Sequence, residues 1–462
     1  MGLVLAMVPV LRWQSPVGSA KRNSTHPLAL RQVECQPRRR SKARKVTDQN
    51  GRVDDERRDR AAWLASPDGR AAVAAAADAR QKAPGDALRA GSLLRGTLDL
   101  PPDLAAAALE QAELAETAAL RHGIAETSLL FTRDGLEAAT RPVVADRRAQ
   151  ALARGGVRRV VDLTAGLGFD AAAFLRAGLQ VTCVERDPVI ATFLRHNCPD
   201  ATVIEADATD PEVLASLLTG LEPTDIVFID PARRDPSAAR DGHTARARPE
   251  RDPERWSPPW SWVEGIEHPR VMAKVAPSFT PPPGWSAEWV SVDRTMVECT
   301  VRSWVADAPR RTAVVIELAG STAQVEADGD DAPLTDSLGP WLHEIDPAVV
   351  QADALGALAR SEGLAWLGPR TTWLTGDHRS THPALRGHEV ISDLPGNDRQ
   401  ARRQLADLGV TAATVKSRDA SVGPREVLRA LGLREGPGQA VVVTTVAGRQ
   451  HRVLVGPAQP RS

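Results

Sequence analysis

Between Val160 and Arg176 the chain passes from an apolar, β-branched run through an acid (Asp162) and the turn Leu163-Thr164-Ala165-Gly166-Leu167-Gly168. An alanine-rich helix then opens at Phe169-Asp170. This order constrains the fold more than any other stretch, because strand, tight turn and helix in close succession begin a parallel α/β unit. Gly166 and Gly168 allow the backbone to turn sharply and leave room for a ligand where a Cβ would intrude. The helix start beyond them offers unpaired N–H groups. A dinucleotide turn needs a third glycine and a helix end free to face a pyrophosphate. Here the third place is Ala171, and Asp170 adds a carboxylate where an anion would bind. Fixed acids at Asp162 and Asp170 suit a cationic ligand instead, and S-adenosylmethionine, with its ammonium and sulfonium, fits that description.

Three more strands are expected to end in acids. Leu179 to Glu185 places Glu185 about 20 residues after the turn, where an acid accepts hydrogen bonds from ribose hydroxyls. Thr202 to Ala208 runs into Asp207, suitably placed for an adenine amine, and Asp225 to Arg234 ends in Asp230-Pro231-Ala232-Arg233-Arg234. Strands often end in Asp, so each signal alone is weak. Four in succession, separated by helical segments, put acids along the carboxyl rim of a parallel sheet, where open α/β sheets bind ligands.

The run DLTAGLGFD, then VERD, EADATD and FIDPARRD, resembles the class I S-adenosylmethionine-dependent methyltransferases. DPARRD followed by a Trp- and Pro-rich stretch is similar to a bacterial group with a helical N-terminal region and a C-terminal THUMP-like domain; the resemblance covers roughly residues 60–455. It implies a Rossmann-like α/β sheet flanked by a helical region and a THUMP-like α+β domain. It also implies that Asp162, Thr164, Ala165, Gly166, Gly168 and Asp170 line the methionine end of S-adenosylmethionine. Glu185 with Arg186 would hold the ribose and Asp207 with Ala208 the adenine side. Asp230, Pro231 and Arg233 would face the transfer site. Arg233 and Arg234 are read equally well as surface ion-pair partners.

The expected organisation is a basic tail (1–57), a helical region (58–153), a methyltransferase domain (154–325) and a THUMP-like domain (326–462). Pro37 to Lys45 is a basic run, read as a disordered tail or an over-extended start, or as an arm touching nucleic acid. Helices are expected over 70–80, 104–122 and 135–153, the last bending at Pro142, with residues 132–137 covering the cofactor or simply packing. The strand at Val271 to Pro277 precedes a hairpin-like pair (288–292 and 296–304) expected at the sheet's antiparallel edge, and Pro347 to Ser361 reads as one helix.

Partners follow from aromatic and basic stretches. Trp256-Ser257-Pro258-Pro259-Trp260-Ser261-Trp262 is a candidate stacking ledge for an unpaired base, with core packing as the alternative. Residues 402–452 hold nine basic and four acidic residues, and Lys416 and Arg418 stand at a strand end as candidate RNA contacts. The net charge of −1 does not advertise a nucleic-acid binder, although a balanced total hides local faces. Four scattered cysteines without metal-ligand spacing imply a reducing cytoplasm and no metal, and no apolar run reaches membrane length.

The function expected is methyl transfer to RNA (tRNA or rRNA), with Asp230 accepting a hydrogen bond from the nucleophile. Ala232 and Arg233 replace the proline and aromatic common in base N-methylating enzymes, which leaves ring nitrogen or ribose oxygen open. Carbon methylation would need a nucleophilic cysteine, and none stands near Asp230. The alternatives are a small-molecule or protein methyltransferase, a non-catalytic RNA-binding protein retaining the fold, and, last, a dehydrogenase.

Overall fold

The computed structural model describes residues 43–233, 250–304, 310–369, 371–417 and 422–458, with backbone alone over 43–53. Helices α1 (Ala43–Ala65), α2 (Pro67–Lys82), α3 (Ala87–Thr97) and α4 (Pro102–Thr117) come first, followed by a wide helical turn at Ala118–His122. The helix α1 thus begins well inside the span expected to be a tail. Ser66 caps α2 by accepting from the Gly69 N–H at 3.2 Å, with Pro67 in the first turn. Ala72, Ala76 and Ala79 of α2 are buried with Ala105, Ala108 and Ala112 of α4, so small side chains let these helices pack closely.

The third expected helix is two: α5 (Arg133–Ala138) and α6 (Pro142–Arg154). Pro142 begins the second helix rather than bending one, because its ring presets the first-turn backbone and cannot donate further along. The break brings Thr140 into the interior.

Strands β1 (Arg159–Asp162), β2 (Gln180–Glu185), β3 (Thr202–Glu205), β4 (Ile226–Ile229) and β5 (Val271–Val275) are parallel. With β6 (Ser286–Val292), β7 (Thr295–Arg302), β8 (Arg311–Ile316) and β9 (Thr322–Glu326) they form one sheet in the order β3-β2-β1-β4-β5-β7-β6-β8-β9. All of β4 and β5 is buried, as expected where both faces of a parallel sheet are covered. The hairpin β6–β7 is not the edge: β6 has the buried run of an interior strand, and β8 and β9 extend the sheet beyond it. The crossover helices are α7 (Phe169–Arg176), α8 (Pro188–Asn197) and α9 (Pro211–Leu218). Asp187 and Asp210 cap α8 and α9 ahead of a first-turn proline. The short α10 (Trp260–Glu264) precedes β5. Strand order reverses between β1 and β4, so the crevice above their carboxyl ends is the place a ligand is expected.

A second sheet, β11-β12-β10-β13-β16-β15-β14, comprises β10 (Trp341–Ile345), β11 (Ala365–Trp366), β12 (Trp373–Gly376), β13 (Leu385–Leu394), β14 (Ala412–Ser417), β15 (Arg434–Val446) and β16 (Arg449–Val455). The hairpin around Gly448 is present, with that glycine at φ +76°. The helix expected over 347–361 is split into α11 (Pro347–Gln351) and α12 (Leu355–Ser361), with Asp353 left-handed at φ +57° between them. Helices α13 (Asp398–Asp407) and α14 (Pro424–Leu431) pack on this sheet. Among the described residues no helix is long and apolar enough to cross a membrane.

Candidate active site

The turn after β1 is built from backbone hydrogen bonds. Ala165 N–H donates to the Val184 carbonyl at 3.1 Å, and Thr164 N–H donates to the Asp162 carboxylate at 3.1 Å. The two glycines differ in purpose. Gly168 has φ +87°, and a Cβ there would lie 2.6 Å from Cys198 Sγ and from Leu194 Cδ1, so it serves close packing against α8. Gly166 has φ +54°, and a Cβ there would meet nothing within 4 Å. Its N–H donates to Glu185 Oε2 at 3.1 Å, while Glu185 Oε1 accepts from Asp187 N–H at 2.8 Å. The turn and the end of β2 are therefore one hydrogen-bonded rim.

The structure brings Asp162, Glu185, Asp207 and Asp230 to the carboxyl ends of β1, β2, β3 and β4 in turn. Asp162 is 2% exposed, and burial, followed by the charge of Asp170, lifts its carboxyl well above the usual range. Burial also raises Glu185, partly opposed by the N–H groups it accepts from. Asp207 is held below the usual range by the Thr209 hydroxyl at 2.7 Å and the Thr209 N–H at 2.9 Å. Ala208 is buried beside it. Arg186 is exposed and spans the rim, 3.8 Å from Asp207 and 3.2 Å from the Ser257 hydroxyl.

Asp230 N–H donates to Thr164 Oγ1 at 2.7 Å, which ties the fourth strand end to the turn. Its carboxylate is ion-paired with Lys274 of β5. Lys274 also donates to the Thr140 hydroxyl at 2.8 Å and lies 3.7 Å from Asp170. Thr140 in turn donates to Asp170 at 2.7 Å, and Arg148 of α6 bridges Asp170 to Glu298 of β7. Burial opposes the charge on Asp170, Lys274 and Arg148, but their opposite-signed neighbours outweigh it, lowering Asp170 and raising both bases. Asp170, expected to meet the cofactor, is paired with the protein's own cations Arg148 and Lys274. Lys274, Thr140 and Arg148 were not singled out from the sequence. The available signal was a lysine inside the apolar strand Val271-Met272-Ala273-Lys274-Val275, since an unpaired lysine is almost never fully buried.

After Pro231 the chain is framed by pairing. Ala232 exchanges two backbone hydrogen bonds with Ser257, at 2.8 and 3.0 Å, and the Arg233 carbonyl accepts from Glu250 N–H at 2.8 Å. Arg234 lies outside the described residues. The stacking ledge is corrected: Trp256 and Trp260 are 4% and 6% exposed and belong to the core. Trp260 meets Phe279 and Trp285 at ring-centroid distances of 4.6 and 5.3 Å, and Trp256 meets Phe279 at 5.5 Å. Burying these large rings beneath the sheet outweighs leaving them in water. Lys416 is committed to Glu344 at 2.6 Å, beside the Trp373 ring. Arg418 lies outside the described residues.

The segment before β1 covers the turn. A Cβ on Gly135 would fall 2.5 Å from Leu167 Cδ1, so α5 rests directly on the glycine loop. Phe131 stacks on Phe169 at 6.1 Å, and Gln111 of α4 exchanges two hydrogen bonds with the Phe131 backbone, at 2.8 and 2.9 Å. Helix α4 is thereby anchored to the site.

These features fit S-adenosylmethionine. The space beside Gly166 is one that a Cβ would fill, and the rim presents the buried Asp162 and the half-buried Glu185, acids suited to an ammonium and to ribose hydroxyls.

Comparison with known proteins agrees. Residues 131–232 match the family described as "Putative SAM-dependent methyltransferase", 385–457 match "THUMP domain-like", and 55–118 match a domain of unknown function. A Mycobacterium tuberculosis (strain H37Rv) protein named "Uncharacterized S-adenosylmethionine-dependent methyltransferase" is 30% identical over 333 residues, 69% of this chain and 85% of that protein. "Ribosomal RNA small subunit methyltransferase J" of Aeromonas hydrophila is 34% identical over 99 residues, 18% of this chain and 38% of its own. The crystal structure of a "putative methyltransferase" from Porphyromonas gingivalis W83 superposes with TM-score 0.65 at 21% identity, over 84% of this chain and 98% of its own.

Proposed function

Because this chain belongs to the S-adenosylmethionine-dependent methyltransferase family and is an enzyme using that methyl donor, we propose that its acceptor is RNA and that transfer occurs beside Asp230. The observation that carries the site is the junction of Asp230 with Thr164, which places the end of β4 against the glycine turn. The THUMP-like stretch and the partial likeness to a ribosomal RNA methyltransferase support an RNA acceptor.

Asp162, the turn backbone at Ala165 and Gly166, and Glu185 would hold the methionine and ribose parts. Asp207, Ala208 and Arg186 would border the adenine. When bound, S-adenosylmethionine supplies an electrophilic methyl: the nucleophile's lone pair takes the carbon, the carbon–sulfur pair returns to sulfur, and the nucleophile's proton passes to water. Asp230 accepts a hydrogen bond from the proton-bearing nucleophile, and the Pro231 backbone limits where it can sit. Catalysis then rests mainly on proximity and alignment. Arg233, half-buried two residues after Pro231, would be the candidate contact for an RNA phosphate.

The test is transfer of labelled methyl to RNA from a strain lacking the protein, followed by mass spectrometry of its nucleosides. Label entering RNA, with affinity that falls steeply as salt rises, is the expected result. Label entering only protein or small molecules would assign a different acceptor.

A further inference from the structure

We infer that Lys274 is a positioning residue for methyl transfer, fixing the Asp230 carboxylate through a buried charge chain that begins on the helix before β1. This deepens the proposed reading of Asp230 as the group facing the nucleophile, and rests on it.

Among the described residues Lys274 has three oxygen partners: Asp230 just after β4, Thr140 before α6, and Asp170 on α7 at the longer distance of 3.7 Å. Asp170 is held by Arg148 of α6, and Arg148 by Glu298 of β7. The ammonium is therefore fixed from several elements at once and has little freedom to follow Asp230 if that side chain turns. The side chain of Lys274 is 4% exposed and that of Asp230 is 22% exposed. An incoming nucleophile thus meets the carboxylate, with the cation behind it. A purely structural ion pair would have no need for such a one-sided arrangement at the switch point of the sheet, where an apolar pair would pack at lower desolvation cost.

The charged groups facing this pair are Asp162 of β1, Asp170 of α7, Arg148 of α6 and Glu298 of β7. Without Lys274, Asp230 would face Asp162 and Asp170 without the contact that fixes its orientation, and its side chain would turn freely. The α6 helix and Thr140 would also lose their link to the transfer site, although they lie outside the glycine turn and the strand ends.

The test needs no RNA. Sinefungin carries an ammonium where the donor carries its methyl, and S-adenosylhomocysteine carries nothing there. Their affinity ratio therefore reads how squarely the Asp230 carboxylate faces the methyl position, and calorimetry gives it. Asp230→Asn is expected to abolish the preference for sinefungin, which checks that Asp230 faces that position. In Lys274→Met the preference is expected to fall about fivefold or more, while Lys274→Arg restores most of it. A folded Lys274→Met protein whose preference stays or rises would overturn the inference, because removing a cation that merely neighbours Asp230 strengthens its hold on an ammonium. Should that variant not fold, Thr140→Val decides, since it keeps every charge and removes the hydroxyl linking Lys274 to Asp170. A smaller fall is expected there, and an unchanged preference would overturn the inference equally. Failure of RNA labelling with this fall intact would refute only the acceptor.

Discussion

Asn197, the last residue of α8, donates from Nδ2 to the Leu167 carbonyl in the glycine turn at 3.0 Å. The same side-chain amide donates to the Leu130 carbonyl at 3.0 Å and accepts from the Leu130 N–H at 2.9 Å. One side chain thus joins the covering segment, the turn and a crossover helix. Replacing it with leucine strands three backbone polar groups, each costing about 1–3 kcal/mol where water cannot reach. Asn197→Leu is expected to lower the melting temperature and weaken S-adenosylhomocysteine about tenfold or more. Unchanged affinity would separate the covering segment from cofactor binding.

The two glycines of the turn are expected to fail differently. Gly168→Ala meets Cys198 and Leu194 and adopts a left-handed backbone, so the loss appears as lower stability, by about 2 kcal/mol or more. Gly166→Ala has open space and carries only the backbone strain of about 1–2 kcal/mol. It is expected to fold yet to lose cofactor affinity out of proportion to that strain. Thermal melting beside calorimetry distinguishes the two.

Asp162 gives a pH dependence. Burial, then Asp170, raises its carboxyl, so the free protein holds a proton there at pH values where an ordinary aspartate is ionised. A ligand ammonium favours the ionised form, so binding releases that proton. Affinity for S-adenosylhomocysteine is expected to fall as pH drops, by up to about tenfold per unit below the raised value. Calorimetry in buffers of different ionisation enthalpy measures the release, which Asp162→Asn should abolish. Folding stability carries the opposite sign: this group's contribution is fully present below the unfolded pKa and is lost as pH rises through the folded one.

Trp260 is expected to matter for folding and not for stacking. Trp260→Ala empties a core position against Phe279 and Trp285 and should cost about 3–5 kcal/mol in denaturant unfolding. RNA affinity of the remaining folded protein should stay near wild type. A selective loss of RNA binding with stability intact would restore the stacking role.

Local signals carried far in this chain. The acids closing β1, β2, β3 and β4, and the glycines between β1 and α7, were legible because strand ends and turns are written in consecutive residues, and the parallel order of those strands follows from short crossovers. The break before α6 was misread because Pro142 bends a helix or starts one according to what packs around it. The inward turn of Trp256 and Trp260, like the capture of Lys416 by Glu344, depended on which surface each side chain would find.

The sequence by itself determined that this is a parallel α/β scaffold with a rim of carboxylates, because strand period, turn chemistry and cap residues act over a few positions. Only the tertiary structure decided that Asp170 answers to Arg148 and Lys274, and that Lys274 stands behind Asp230. Lys274 and Asp230 are far apart in sequence and meet at the carboxyl ends of neighbouring strands, and the low dielectric of the interior is what makes their pairing consequential.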